Sequence, residues 1–117
     1  LRRVLFDQNV PRPLRKFLTA CEVKVAGEMG WSRIENGILL TAAEQAGFDV
    51  LLSGDKSMQY EQNMAGRRIG VVAMSDNHWN LVRLYVQNIA AAINQVQPGE
   101  VRQVFCGKFS RGKGKRA

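Results

Sequence analysis

Five short apolar runs, separated by stretches with helical rather than strand spacing, constrain this chain more than any other feature. The runs cover residues 3–6, 22–25, 50–52, 69–74 and 101–105. Between the first two, Pro11 or Pro13 can occupy an opening helical turn, where a missing N–H costs nothing, so residues 11–18 read as helix. Residues 35–46 place Ile38, Leu39, Ala42, Ala43 and Ala46 on one helix face, with Gly47 as the stop. One helical turn fits residues 57–64. Asn77 is positioned to cap a long helix over about residues 79–96, with Leu81, Leu84, Tyr85, Ile89, Ala92, Ile93 and Val96 as its inner face. Strands that are continuously apolar and alternate with helices predict an α/β fold of three layers. The expected core of that fold is a short, mainly parallel sheet of four to five strands covered on both sides. Crossovers in such sheets are right-handed, and sites lie beyond the carboxyl ends of the strands.

Three expected strands are each followed by an acid: Asp7 after the first, Asp55 after the third, Asp76 after the fourth. Parallel strands point one way, so the three carboxylates are predicted at one edge of the sheet. Clustered carboxylates raise one another's pKa unless a cation joins them. Oxygen donors suit Mg²⁺ or Mn²⁺, ions that activate water and neutralise charge in phosphoryl chemistry. Each Asp taken singly can equally cap the turn or helix that follows it.

Charge sharpens the picture only once it is divided. The chain of 117 residues fits one domain and carries 17 basic and 10 acidic residues, a net +7. Residues 108–117 hold Lys108, Arg111, Lys113, Lys115 and Arg116 and no acid, so residues 1–107 keep only +2. The reading is a nearly balanced domain over 1–107 with a basic tail over 108–117. That tail is expected to be disordered and to track nucleic-acid backbone if it acts at all. Cys21 and Cys106 fall in or beside strands, which suits free thiols in a reducing, cytoplasmic compartment. No apolar run reaches membrane-spanning length, and the opening residues are too short and too soon acidic for a signal peptide.

The stretch Phe6-Asp7-Gln8-Asn9-Val10-Pro11-Arg12-Pro13-Leu14 resembles the "DENVP" opening of PIN-like proteins of unknown function, which are themselves similar to toxin ribonucleases. Asn36-Gly37-Ile38-Leu39-Leu40, residues 43–52, Asp55-Lys56 and residues 60–72 continue the likeness, which spans roughly residues 3–104. The resemblance implies a PIN-like fold and a divalent metal, with RNA as substrate. A toxin-type endoribonuclease of this kind implies a small antitoxin as partner, and a homodimer is a further expectation. Asp7 and Asp55 match the family's most dependable acids and are the expected catalytic pair. Asp7, Asp55 and Asp76 are the expected metal ligands, with Glu35 as a further one. Asn9, Lys56, Asn36 and Arg12 make up the expected substrate-binding set.

Two positions depart from the family pattern. Gln8 stands where Glu is common, and Ile38 stands where a helix Glu follows Asn-Gly. Glu35 lies nearly one helical turn before Ile38 and can present a carboxylate from the same side. A site with fewer carboxylates binds metal more weakly, so the alternative is a weakened PIN-like domain that binds RNA or protein without cutting. A receiver-like reading also places an Asp after the third strand. It lacks the acidic pair after the first strand, because Gln8 follows Asp7, and Phe105-Cys106-Gly107-Lys108 is a poor substitute for its lysine. Among the other residues, His78 reads as a helix-start surface residue. Trp31 reads as loop packing with base stacking as the rival, and Arg67-Arg68 as a solvated pair.

Overall fold

An apolar run buries both of its sides only in the interior of a sheet, and the interior strands here are the most apolar ones. The computed structural model describes residues 1–54 and 64–107. Its strands are β1 (Arg2–Phe6), β2 (Cys21–Val25), β3 (Val50–Ser53), β4 (Gly70–Met74) and β5 (Val101–Val104). They form one five-stranded sheet in the order β2-β1-β3-β4-β5, with every neighbouring pair parallel. Every residue of β3 and β4 is buried, whereas the edge strands β2 and β5 expose part of their length. The expected α/β architecture with a parallel sheet is present, and its fifth strand is real.

The helices are α1 (Asn36–Gln45), α2 (Trp79–Val82) and α3 (Val86–Gln95). Tighter 3₁₀ segments cover Arg12–Phe17, Ala26–Met29 and Arg83–Tyr85. The helix expected over residues 11–18 is therefore present, as a tight 3₁₀ segment over Arg12–Phe17. Leu14 donates to the Pro11 carbonyl and Leu18 to the Arg15 carbonyl, the three-residue spacing of a 3₁₀ turn. The segment is only six residues long, which leaves few bonds of four-residue spacing to repay the cost of starting an α-helix.

The last helix is also interrupted. Tyr85 leaves helical geometry at φ −120° and ψ 22°, between α2 and α3. Leu84, expected inside, is 62% exposed, and Val82 is buried instead. Leu84 lies five residues before Ile89, about 140° around a helix from it, so the two cannot share a face.

Alternate strand residues sort the core into two layers. Val4, Phe6, Val50, Leu52, Val72 and Met74 face one way and pack with Leu14, Leu18, Val82, Ile89, Ile93 and Val96. Leu5, Leu51 and Val71 face the other way and pack with Leu39, Leu40, Ala43 and Phe48 of the α1 side. Met64 joins this second layer, and the rest of the helical turn expected over 57–64 lies outside the described residues, as does the tail 108–117.

The connections β2→β3 and β4→β5 travel in the same direction across the sheet but over opposite faces, so they have opposite hands. A uniformly right-handed set of crossovers, the usual rule, therefore does not hold. The departure covers a need: the 3₁₀ segment Arg12–Phe17 is only six residues long and roofs little of the first face. Helices α2 and α3 close the rest. Among the described residues, no helix is long and apolar enough to cross a membrane.

Candidate functional site

The sheet order decides where a site can form. The chain moves from β1 outward to β2, then returns past β1 to β3, so the switch point lies between β1 and β3. Register pairs Phe6 with Leu52, and the Asp7 amide continues the ladder by donating to the Leu52 carbonyl at 2.9 Å. The next residues, Asp7 and Ser53, are thereby placed side by side at the carboxyl edge.

The contacts of Asp7 follow from that placement. The Ser53 hydroxyl donates to Oδ2 of Asp7 at 3.0 Å, and the Gln8 amide donates to Oδ1 at 2.7 Å. Ser53 is fully buried, the one buried polar residue among those described. A buried hydroxyl needs a partner, and here that partner is a carboxylate. Val10 donates to the Asp7 carbonyl at 3.1 Å, which closes the turn that carries Asn9 back over the edge. Asn9 Oδ1 accepts the Gly54 amide at 3.0 Å. Asn9 thus ties the loop after β1 to the loop after β3, a positioning task beyond the substrate contact expected of it.

Gly54 admits a third loop. A Cβ at this position would lie 2.8 Å from Cβ of Asn77, closer than side chains tolerate. Glycine lets the segment after β4 settle onto the switch point. Asn77 is accordingly a neighbour of the site and not the helix cap expected from sequence. His78 stands at the cap position, and the Asp76 carboxylate accepts the His78 amide at 2.9 Å. Asp76 Oδ1 also pairs with Nδ1 of His78, whose side chain is half exposed. Behind the edge, Ser75 Oγ accepts the Cys106 amide at 2.8 Å and donates to the Gly107 carbonyl at 3.1 Å, which fixes the end of β5. Burial pushes the Cys106 thiol up to about 11, with a hydrogen bond from Ser75 opposing and the negative charge of Asp76 adding to it. Cys106 is a neutral structural thiol, and both cysteines are free.

Asp7, Asn9, Ser53 and Gly54 meet at this edge, and Asn77 approaches them. The other expected residues distribute differently. Glu35 and Ile38 line an open groove of about 530 Å³ along α1 with Gly37, Thr41 and Arg67. Asn36 is the first residue of α1, and Arg12 is exposed at the start of its 3₁₀ segment. Asp55 and Lys56 lie outside the described residues. Trp31 packs into the second core layer, its ring 6.4 Å from Phe48 in an edge-on arrangement, so loop packing accounts for it. Arg67 is not a solvated residue: it pairs with Glu44 at 2.9 Å, its side chain only 17% exposed.

Among the described residues, no three His, Cys, Asp or Glu side chains converge as a metal site. The donors that do meet are oxygens of a carboxylate, a hydroxyl and an amide, the hard type that Mg²⁺ or Mn²⁺ takes. In kind, the set fits such an ion. Sequence reasoning overlooked Ser53, Gly54 and Asn77 as site residues. The small pair Ser53-Gly54 at a strand end is a usable signal only after β1 and β3 are known to be neighbours. Comparison of the chain with family models, with curated proteins and with solved structures returned no match.

Proposed function

We propose that this chain is a PIN-like, divalent-metal-dependent endoribonuclease of the toxin type, acting at the β1–β3 switch point and restrained by a small antitoxin. The observation that supports this reading is the anchored carboxylate of Asp7. It stands at the place where open parallel sheets bind ligands, beside the strand end that leads directly into Asp55. Asp7 and Asp55 would hold Mg²⁺ or Mn²⁺; Asp76, engaged with His78, and Glu35, in the α1 groove, do not gather with Asp7 around one point and are left out of the proposed ligand set. The ion supplies an activated water and neutralises charge that builds on the scissile phosphate. The chain's own contribution is orientation. The Ser53 hydroxyl donates to Oδ2 of Asp7 and the Gln8 amide to Oδ1, and together they fix the plane of the carboxylate. Asn9 locks the two loops together, and the exposed Arg12 is available to a phosphate. Lys56 and Asn36 complete the proposed substrate contacts, the basic tail adds affinity, and a homodimer is one form the free protein could take.

Ile38 favours a second reading. It is 58% exposed beside the α1 groove, at the position where the resemblance expects an acid. An exposed isoleucine suits contact with a partner better than metal binding, as in a domain that binds RNA or protein without cutting.

Single-turnover cleavage of varied RNAs by antitoxin-free protein, in Mn²⁺, Mg²⁺ or EDTA, separates the readings. Asp55→Asn and Asp7→Asn should each slow metal-dependent cleavage by roughly 10²-fold or more, on the order of 3 kcal/mol of barrier. EDTA-resistant cleavage that survives both substitutions would remove the metal mechanism. A wild-type protein that cuts none of the RNAs would transfer the assignment to the non-cleaving reading.

A further inference from the structure

We infer that the outer surface shared by the 3₁₀ segment Arg12–Phe17 and helix α2 is a platform for single-stranded RNA. Phe17 and Trp79 present the base-stacking rings, and Arg12, Lys16 and Arg83 contact phosphate. The inference names the form of RNA the proposed ribonuclease takes and rests on that reading for the destination of the strand.

Phe17 is 55% exposed although it sits on a segment whose Leu14 is wholly buried. Its ring lies 5.8 Å from that of Trp79, tilted by 33°. Trp79 packs against the first core layer beneath, so the pair is anchored on one side and open on the other. A rigid, half-exposed aromatic pair loses little freedom when a base stacks on it, and every base offers a π-face.

Charge selects the occupant. Residues 8–21 contain Arg12, Arg15 and Lys16 and no acid, and residues 77–99 contain Arg83 and no acid. Arg15 is spent on the fold: it donates to Glu28 at 2.9 Å and to the Val23 carbonyl at 2.9 Å. Arg12, Lys16 and Arg83 are exposed. Arg83 follows Trp79 by four residues, one turn further along the same side. An apolar protein surface seated here would strip water from three cations without repayment. A polyanion with unpaired bases satisfies both the cations and the rings. Duplex RNA would satisfy only the cations, because its base faces are hidden.

Position supplies the last argument. The 3₁₀ segment begins five residues after Asp7 and α2 begins three residues after Asp76. Both halves of the platform therefore start at the carboxyl edge, and a strand lying across them is delivered to the acids.

The test is fluorescence polarisation of a labelled single-stranded 12-nucleotide RNA and of its blunt duplex, with the full chain in EDTA so that no cutting occurs. The single strand should bind more tightly than the duplex. Phe17→Ala should weaken single-strand binding roughly five-fold or more, while Phe17→Tyr keeps it within about two-fold. Arg83→Gln should lower the salt dependence of log Kd by about 0.7. Unchanged single-strand affinity in Phe17→Ala, or a duplex bound as tightly as the single strand, overturns the platform. So does a Phe17→Ala variant that keeps its RNA affinity but loses self-association in sedimentation, which would mark a protein interface. Mn²⁺-dependent cleavage alongside such a result would leave the ribonuclease reading intact. Phe17-dependent binding without cleavage would uphold the platform and sink the ribonuclease.

Discussion

The two faces of the sheet solve the same problem with different materials. The first face, under α2, α3 and the 3₁₀ segment Arg12–Phe17, buries eighteen apolar residues in one cluster among the described residues. The second, under α1, buries nine among the described residues and leans on arginine. There Arg3 donates to the Ala46 carbonyl at 2.6 Å, lies 4.6 Å over the Phe48 ring, and gives its backbone amide to Asp49 at 2.8 Å. Arg67 binds Glu44, Thr41 and Gly37 along the outside of α1. Charge on the second face is consumed in holding the layer down. On the first face Arg2 is spent on the Ile93 and Val96 carbonyls and Arg15 on Glu28 and the Val23 carbonyl, while exposed Arg12, Lys16 and Arg83 are left for something outside the chain. The lesson is that a count of basic residues does not find a binding surface. What finds it is which cations the fold can spare.

The comparison can be broken first at the thick layer. Ile93 is fully buried there, and Ile93→Ala should destabilise by about 2–5 kcal/mol, read from urea unfolding. A loss below ~1 kcal/mol would mean the first face is not the main source of stability.

The thin layer gives the next largest effect. Arg67→Ala removes a charged hydrogen bond from the mostly buried Glu44 and should cost about 1–3 kcal/mol. Burial alone would raise the Glu44 carboxyl, but the Arg68 amide and the Arg67 guanidinium outweigh it and hold the pKa below its ordinary value. A depressed carboxylate stabilises the fold fully above its unfolded value near 4.5 and loses that contribution as pH falls through the folded value. The gap between wild type and Arg67→Ala should therefore be widest near neutrality and shrink below about pH 4.5 in unfolding curves. A gap that widens in acid would contradict the role given to this pair.

At the carboxyl edge between the faces, Gly54→Ala should cost about 1–2 kcal/mol, because the added methyl meets Cβ of Asn77. The double variant with Asn77→Gly removes the clash and should recover part of the loss in a double-mutant cycle. Strict additivity would show that Asn77 does not press on this loop.

The smallest expected change is the most discriminating. Arg83→Gln should shift stability by less than about 0.5 kcal/mol, since its cation is exposed on the thick face. If thermal melting shows Arg83 to matter as much as Arg67, the contrast between spared and consumed arginines fails.

How much was legible in the sequence depended on the range of the interaction. Residues 50–52 and 69–74 read as buried strands because a run of Val, Leu, Ile and Met reports its own burial. The positions of Asp7 and Asp76 beyond strand ends followed from the same local pattern. Residues 11–18 read as helix and Arg12–Phe17 is one, but of the 3₁₀ kind, because proline marks a helical start without saying which kind of turn follows. Leu84 was misplaced because an apolar residue near a stripe is easily counted into it, and only packing shows the stripe passing through Val82.

The amino-acid sequence by itself determined the class of fold, the parallel sheet and the edge to which Asp7 and Asp76 belong. Each is a consequence of periodicity, which neighbouring residues carry without help. Tertiary structure alone decided that β1 lies beside β3, and with it the pairing of Asp7 with Ser53, of Asn9 with Gly54, and the approach of Asn77. It also set Phe17 against Trp79 across sixty-two positions of chain. Strand order is chosen by which layers pack most completely on which face. That competition is between distant surfaces, so no local stretch of sequence records its outcome.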